Sequence, residues 1–386
     1  MNPAQMRMLP FRIAFSTRAV ADLHRRIDAT RWPAMPFGTG WSAGTDDGVL
    51  RSLVRYWRTE FDWFEVQERL NRHAQLRGPL GDPEGELHCF LFAPNPDAIE
   101  VAPFPLLLLH GWPGSFVELI PAAELLSKGA GGGPAFEVVV PSLPGYGFSD
   151  APPEPGMHPG RIAERMHALM RALGYERYGV QGGDWGAVIG SRLTEAHSEA
   201  VAGLHLNFPV LPRPAADAAL SAEESQWWAH QEAWRAQEGA YSALQGTKPQ
   251  TLAYALNDSP VGLLAWIVEK FHGWSDHGDD LWETFDRDDV LANVTLYWLT
   301  GKVLSAARTY YEARHEDPPY GPRGRIETPT AYARFPAEPW AAPRAAVERS
   351  YNLVRWSEME RGGHFAALEQ PELFADDVAA FFATLA

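Results

Sequence analysis

Cysteine is almost absent from this 386-residue chain: Cys89 stands alone, so no intramolecular disulfide can form and the fold must be held by packing. That fits a reducing, cytoplasmic setting. Lysine is nearly as scarce, confined to Lys128, Lys248, Lys270 and Lys302, and with arginine, alanine and proline plentiful the composition points to a high-GC bacterial genome. No basic run offsets a formal charge of −16, which argues against nucleic acids and anionic membranes as partners, because a polyanion is repelled at long range. Long apolar runs are missing as well. No segment could span a bilayer and residues 1–7 hold no apolar signal core, so a soluble protein acting on a small neutral molecule is expected. The histidines never fall at H-E-x-x-H spacing, and His272 and His277 around Asp276 read as a polar loop; neither a metal nor another cofactor is expected. Oligomeric state stays open, a homo-oligomer being among the outcomes the sequence allows.

What the chain does have is a large apolar share, 46% hydrophobic residues, enough for a sizeable core. Apolar runs bounded by glycine and proline recur over residues 104–109, 136–140, 178–181 and 204–208 and read as buried parallel strands. Between them, residues 161–173 place Ile162, Met166, Leu169, Met170 and Leu173 at helical spacing. Such alternation predicts an α/β sheet covered on both faces. The pattern breaks off near Leu211-Pro212-Arg213-Pro214, yields to a Trp- and Glu-rich helical stretch, and resumes with short strands over 331–335 and 353–359 and an amphipathic helix over 371–385. Four segments follow: an N-terminal part, 1–100, with helices over 17–31 and 48–70 and a hairpin strand over 86–92; a first core part, 101–212; an inserted helical cap, 213–325; and a second core part, 326–386.

The segment Gly182-Gly183-Asp184-Trp185-Gly186, at the end of the strand over 178–181, has the small-x-nucleophile-x-small pattern of a strand-to-helix elbow. Aspartate stands where serine is common. A serine that attacked an sp3 carbon would leave an ether, which water cleaves poorly, whereas a carboxylate leaves an ester that water can hydrolyse in a second step. Asp184 is therefore expected to be a presented nucleophile for alkylation chemistry. The competing reading is a helix N-cap in a tight turn, which aspartate also favours.

Other chemical parts lie at positions set by that elbow. His110-Gly111-Trp112-Pro113-Gly114-Ser115 follows an apolar strand, and the backbone amides of Trp112 and Trp185 are expected to form an oxyanion hole worth about 3 kcal/mol per donor. Trp112-Pro113 is a candidate cis bond. In elbow enzymes the chain order runs nucleophile, acid, histidine, which puts the base at His364 in the loop Arg361-Gly362-Gly363-His364-Phe365. Glu338, in Phe335-Pro336-Ala337-Glu338-Pro339, is best placed to orient that imidazole, ahead of Glu348 and Glu327; a solvated loop carboxylate is the alternative. An opening ether also needs a proton donor, and Tyr241 and Tyr310 in the cap are candidates, although cap tyrosines commonly serve packing, the role expected of Tyr311. Trp227, Trp228, Trp234, Trp266, Trp274, Trp282 and Trp298 are expected mostly in the core, some of them lining an apolar pocket.

In these residues the chain resembles the epoxide hydrolases of the α/β-hydrolase superfamily, specifically the microsomal and juvenile-hormone branch and its soluble bacterial relatives. The resemblance runs over nearly the whole length. Beyond the elbow it is carried by Trp41-Ser42-Ala43-Gly44, Phe61-Asp62-Trp63-Phe64, His110-Gly111-Trp112-Pro113-Gly114-Ser115, Thr247-Lys248-Pro249, the run from Ala255-Leu256-Asn257-Asp258 through Val261-Gly262-Leu263, and Gly362-Gly363-His364-Phe365. It implies an α/β-hydrolase fold with a mostly parallel central sheet, an inserted helical cap and an N-terminal helical meander. It implies Asp184 as nucleophile, His364 as base, Glu338 as its acid partner, and Tyr241 and Tyr310 as donors to the epoxide oxygen, with vicinal diols as products and no cofactor. Tyr310, rather than Tyr311, matches the family's tyrosine two positions before a glutamate. No counterpart of the microsomal membrane-anchoring helix is expected, which favours solubility, and some bacterial relatives act in natural-product assembly, enediyne antibiotics included. Two rivals remain from the residues: a haloalkane dehalogenase binding halide through tryptophan N–H groups, and a non-catalytic ligand-binding scaffold.

Overall fold

In the computed structural model, residues 7–34, 38, 40–80, 84–94, 103–212, 219–317 and 320–385 are described. Among them, nine strands form one sheet: β1 (Leu9–Pro10), β2 (Ala74–Pro79), β3 (Glu86–Phe92), β4 (Phe104–Leu109), β5 (Phe136–Ser142), β6 (Tyr178–Gly182), β7 (Val201–Leu206), β8 (Ile326–Arg334) and β9 (Tyr351–Glu358). The order is β1-β2-β3-β5-β4-β6-β7-β8-β9. The pairs β1/β2, β2/β3 and β3/β5 are antiparallel, and every pair from β5/β4 to β8/β9 is parallel. Leu106 to Leu109 of β4 are at most 1% exposed, the burial on both faces that an uninterrupted apolar run demands.

Helices α1 (Thr17–Asp28), α2 (Asp47–Thr59) and α3 (Trp63–Leu70) precede β2. The single helix expected over 48–70 is thus two. Phe61 turns into the core, and the Asp62 carboxylate accepts the Phe64 N–H at 2.8 Å, capping a new helix where the apolar period alone runs on. Helices α4 (Ile120–Ser127), α5 (Pro159–Ala172) and α6 (Asp184–Ala196) connect the parallel strands, α5 packing beside α6. Between β7 and β8 the chain leaves the sheet for α7 (Ala222–Glu238), α8 (Ala240–Gln245), α9 (Pro249–Leu256), α10 (Pro260–Trp274), α11 (Arg287–Thr300) and α12 (Val303–Arg314). After β8 come α13 (Arg344–Ser350), α14 (Ala366–Glu369) and α15 (Pro371–Phe382), the last packing against α4.

Several strand bounds move. The strand expected over 331–335 starts five residues earlier, at Ile326, and the one over 204–208 is shifted to Val201–Leu206, leaving Phe208 in the loop beyond it. Of the seven tryptophans assigned mostly to the core, Trp274 alone is buried. The others are half-buried, as large rings on surface helices commonly are.

Candidate active site

The site lies at the C-terminal ends of the parallel strands, where open α/β sheets place their crevices. Asp184 follows β6 directly and opens α6 with φ of +47°, a left-handed conformation that a non-glycine residue holds only when its surroundings enforce it. Gly186 is part of the enforcement: a Cβ there would run into the Leu109 carbonyl of β4. The first N–H groups of α6 have no carbonyl one turn back, so Trp185 N–H is free of helix bonding and the positive helix end faces the Asp184 carboxylate.

Opposite the elbow, the loop after β4 carries a cis Trp112-Pro113 bond. The Trp112 N–H donates to Asp184 Oδ1 at 2.8 Å. Helix α11 fixes this loop from above, with Asn293 Nδ2 donating to the Pro113 carbonyl and the Tyr297 hydroxyl to that of Gly114, both at 2.8 Å.

His364 Nε2 stands 3.4 Å from Asp184 Oδ2, and its Nδ1 lies 2.8 Å from Glu338 Oε2. The Glu338 side chain is fully buried, and its other oxygen accepts the Trp340 N–H at 3.0 Å. Glu348 and Glu327, the weaker candidates, instead pair with Arg344 and Arg325 on the surface. The imidazole is held from several sides. His364 N–H donates to the Trp274 carbonyl at 2.8 Å, Gly362 N–H to Asp276 Oδ2 at 2.8 Å, and Gly363 and Phe365 N–H to Glu369 at 2.9 Å each. The Trp274 ring meets the imidazole edge to face at 5.0 Å.

The far wall is aromatic. Tyr241 on α8 and Tyr310 on α12 have ring centroids 5.8 Å apart, and their phenolic groups interact. Trp112 stacks on Tyr241 at 5.3 Å and meets Tyr310 edge-on at 5.7 Å, while Trp185 meets Tyr310 at 4.7 Å. Tyr311 faces away and packs on His315 at 4.2 Å.

Charge and burial in this enclosed space shift the imidazole and the two phenols. Burial opposes a charged His364, but the carboxylates of Glu338 and Asp184 outweigh it and raise the imidazole well above its ordinary range. Burial first, then other groups including Asp184, pushes the Tyr241 and Tyr310 phenols up, so both remain protonated donors at any working pH. The seven residues singled out from the sequence thus converge: Asp184, His364 and Glu338 in a hydrogen-bonding line, the Trp112 amide on the carboxylate, Trp185 beside it, and the two tyrosines across the gap.

The family model for the epoxide hydrolase N terminus matches residues 8–119, and that for the alpha/beta hydrolase fold matches residues 105–266. The chain is 42% identical over 382 residues to a protein of Stigmatella aurantiaca that carries an epoxide hydrolase designation, covering 97% of this chain and 85% of that one. The chain belongs to the epoxide hydrolase family. It is 34% identical to epoxide hydrolase 1 of Oryctolagus cuniculus, over 96% of this chain and 88% of the rabbit enzyme. The crystal structure of juvenile hormone epoxide hydrolase from Bombyx mori superposes with a TM-score of 0.88 at 33% identity, covering 98% of this chain and 95% of the silkworm enzyme. This is an α/β-hydrolase-fold enzyme that adds water to a small-molecule epoxide. Among the described residues of the enzyme, no helix is long and apolar enough to cross a membrane.

Sequence reasoning missed the supports of this candidate site. Glu118, Gln181 and Asn207 lie beneath the elbow, and Glu369 and Asp276 brace the histidine loop. The one available signal was the position of Glu369 five residues after His364, since a buried carboxylate is well suited to gather loop amides.

Proposed function

We propose that the enzyme opens its epoxide through a covalent alkyl ester on Asp184. The observation that carries this reading is the pair of contacts on one carboxylate: the Trp112 N–H on Oδ1 at 2.8 Å, and His364, tied to buried Glu338, at 3.4 Å from Oδ2. In the first half-reaction an Asp184 oxygen attacks a ring carbon, the C–O bond breaks, and the departing oxygen takes a proton from Tyr241 or Tyr310. Esterification removes the negative charge of Asp184. One of the two carboxylates that raise His364 is then gone, so the imidazole releases its proton more readily, the phenolate is reprotonated, and a neutral base is left beside the new ester.

In the second half-reaction His364 Nε2 takes a proton from water as the water oxygen attacks the ester carbon. Glu338 stabilises the resulting imidazolium, and the amides of Trp112 and Trp185 hold the oxyanion. Collapse breaks the bond to the alkyl oxygen, which takes the His364 proton and leaves as diol. Helices α7–α12, within residues 213–325, serve as a cap bringing the tyrosines over core residues 101–212 and 326–386, with residues 1–100 as the N-terminal segment. The ring-lined gap between Trp112, Trp185, Tyr241 and Tyr310 suits a bulky or aromatic epoxide, such as an intermediate of natural-product assembly.

A single turnover in heavy-oxygen water tests the mechanism. The label is expected in Asp184, with diol whose added oxygen is unlabelled; label passing straight into the first diol refutes the ester. For the substrate class, kcat/KM on styrene oxide is expected to exceed that on 1,2-epoxybutane, and the reverse order overturns the aromatic preference.

A further inference from the structure

Against Asp184 and His364, and lined by neither Tyr241 nor Tyr310, lies a cavity of about 30 Å³. Its walls include apolar Leu109 and Phe374, but Glu118, Gln181, Asn207 and the facing sides of Asp184 and His364 are polar. The volume is too small for an epoxide bearing any substituent and sufficient for about two waters. Two observations suit it to water. Gln181 is 1% exposed and donates from Nε2 to Asn207 Oδ1 at 2.9 Å, yet its Oε1 is buried without a partner. The Glu118 carboxyl lines the cavity, and among the described residues it accepts only the Gly111 N–H, at 3.4 Å from Oε1. A buried acceptor left as Gln181 Oε1 is costs about 1–3 kcal/mol unless water satisfies it. The backbone makes room for the carboxyl: a Cβ on Gly114 would overlap Glu118.

Given the Asp184 ester proposed above, the cavity touches both that carboxyl and His364 without reaching the tyrosines that hold the epoxide oxygen. We propose that it stores the hydrolytic water, and that Glu118 is a positioning residue that, with Gln181 and Asn207, holds the molecule His364 deprotonates. The water oxygen bonds to the Asp184 carboxyl carbon, its proton passes to His364 Nε2, and the ester bond to the alkyl oxygen breaks with return of that proton to the diol. Glu118 itself neither gains nor loses a proton. Burial, reinforced by Asp184 and opposed by His364, pushes its carboxyl up to about 8, so at neutral pH it offers water both a donor and an acceptor.

The test separates the two half-reactions by rapid mixing, following alkylation through tryptophan fluorescence and ester decay by intact-protein mass. In Glu118→Leu, alkylation is expected within about twofold of the parent while ester decay slows by about tenfold or more. Steady-state kcat and KM then fall together and kcat/KM stays put, which a general loss of structure would not produce. Glu118→Gln, which keeps one donor and one acceptor, is expected to restore decay to within about threefold. Parental decay in Glu118→Leu, equal losses in both steps, or a glutamine variant as slow as leucine would each overturn the proposal. His364→Gln serves as the control for the underlying reading: if it accumulates ester while Glu118→Leu decays normally, only the water store falls, whereas absence of ester there removes the covalent mechanism itself.

Discussion

Replacing Glu338 by glutamine removes one charge from the line Glu338–His364–Asp184 while keeping the side chain's shape. Both carboxylate oxygens are in use, one opposite His364 Nδ1 at 2.8 Å and one accepting the Trp340 N–H at 3.0 Å. An amide has one acceptor, so the variant either sets its NH2 against a donor, a cost of about 1–3 kcal/mol, or turns neutral His364 to the tautomer with its proton on Nε2, which cannot take one from water there. The larger effect is electrostatic. Delocalised imidazolium and carboxylate charges have centres about 4 Å apart, and at the effective dielectric suited to protein sites their attraction is about 4 kcal/mol. On the proposed ester mechanism that attraction is felt when His364 becomes charged during hydrolysis, so its loss is expected to slow that step by about 10³-fold at 1.36 kcal/mol per decade. Alkylation does not require His364 to accept a proton and should slow by less than about tenfold. The assay is single-turnover mixing with styrene oxide, scored by the mass of the adduct on the intact chain and its decay. A glutamine variant that turns over within about tenfold of the parent, or loses alkylation and hydrolysis equally without adduct, refutes the assignment of Glu338 as the partner of His364.

Two further outcomes follow from the same geometry. Tyr241→Phe and Tyr310→Phe should each slow alkylation by about 10- to 100-fold and the double variant by more, while decay of ester already formed changes little; pre-steady-state fluorescence measures both, and unaffected alkylation in the double variant contradicts the donor role. Gly186→Ala should destabilise the fold by roughly 1–3 kcal/mol, because the new Cβ meets a backbone carbonyl of β4 rather than a side chain able to move; an unchanged denaturant midpoint would show that the elbow tolerates it.

The elbow was legible in the sequence because its demands are local. A strand ending in Gly182, an aspartate at positive φ and a small residue two positions on are steric requirements of one tight turn, written within five residues. The His364 and Glu338 positions followed from chain order along the sheet, and His110-Gly111-Trp112-Pro113-Gly114 from its place after an apolar strand. The helix break at Phe61-Asp62 was hidden by an apolar period that continues through it, and the short β1 and mixed-polarity β2 gave no alternation to read.

Sequence by itself determined the residue types that the chemistry needs and the alternation that builds a parallel sheet, since both depend on backbone sterics and on apolar periods measured over a few residues. Tertiary structure alone decided which groups share a space: Tyr241 stacked on Trp112, the histidine loop anchored to the end of α10, and Glu118 and Gln181 around one small void. Those meetings join side chains far apart along the chain, and their distances are set by how helices and strands pack, which no local pattern encodes.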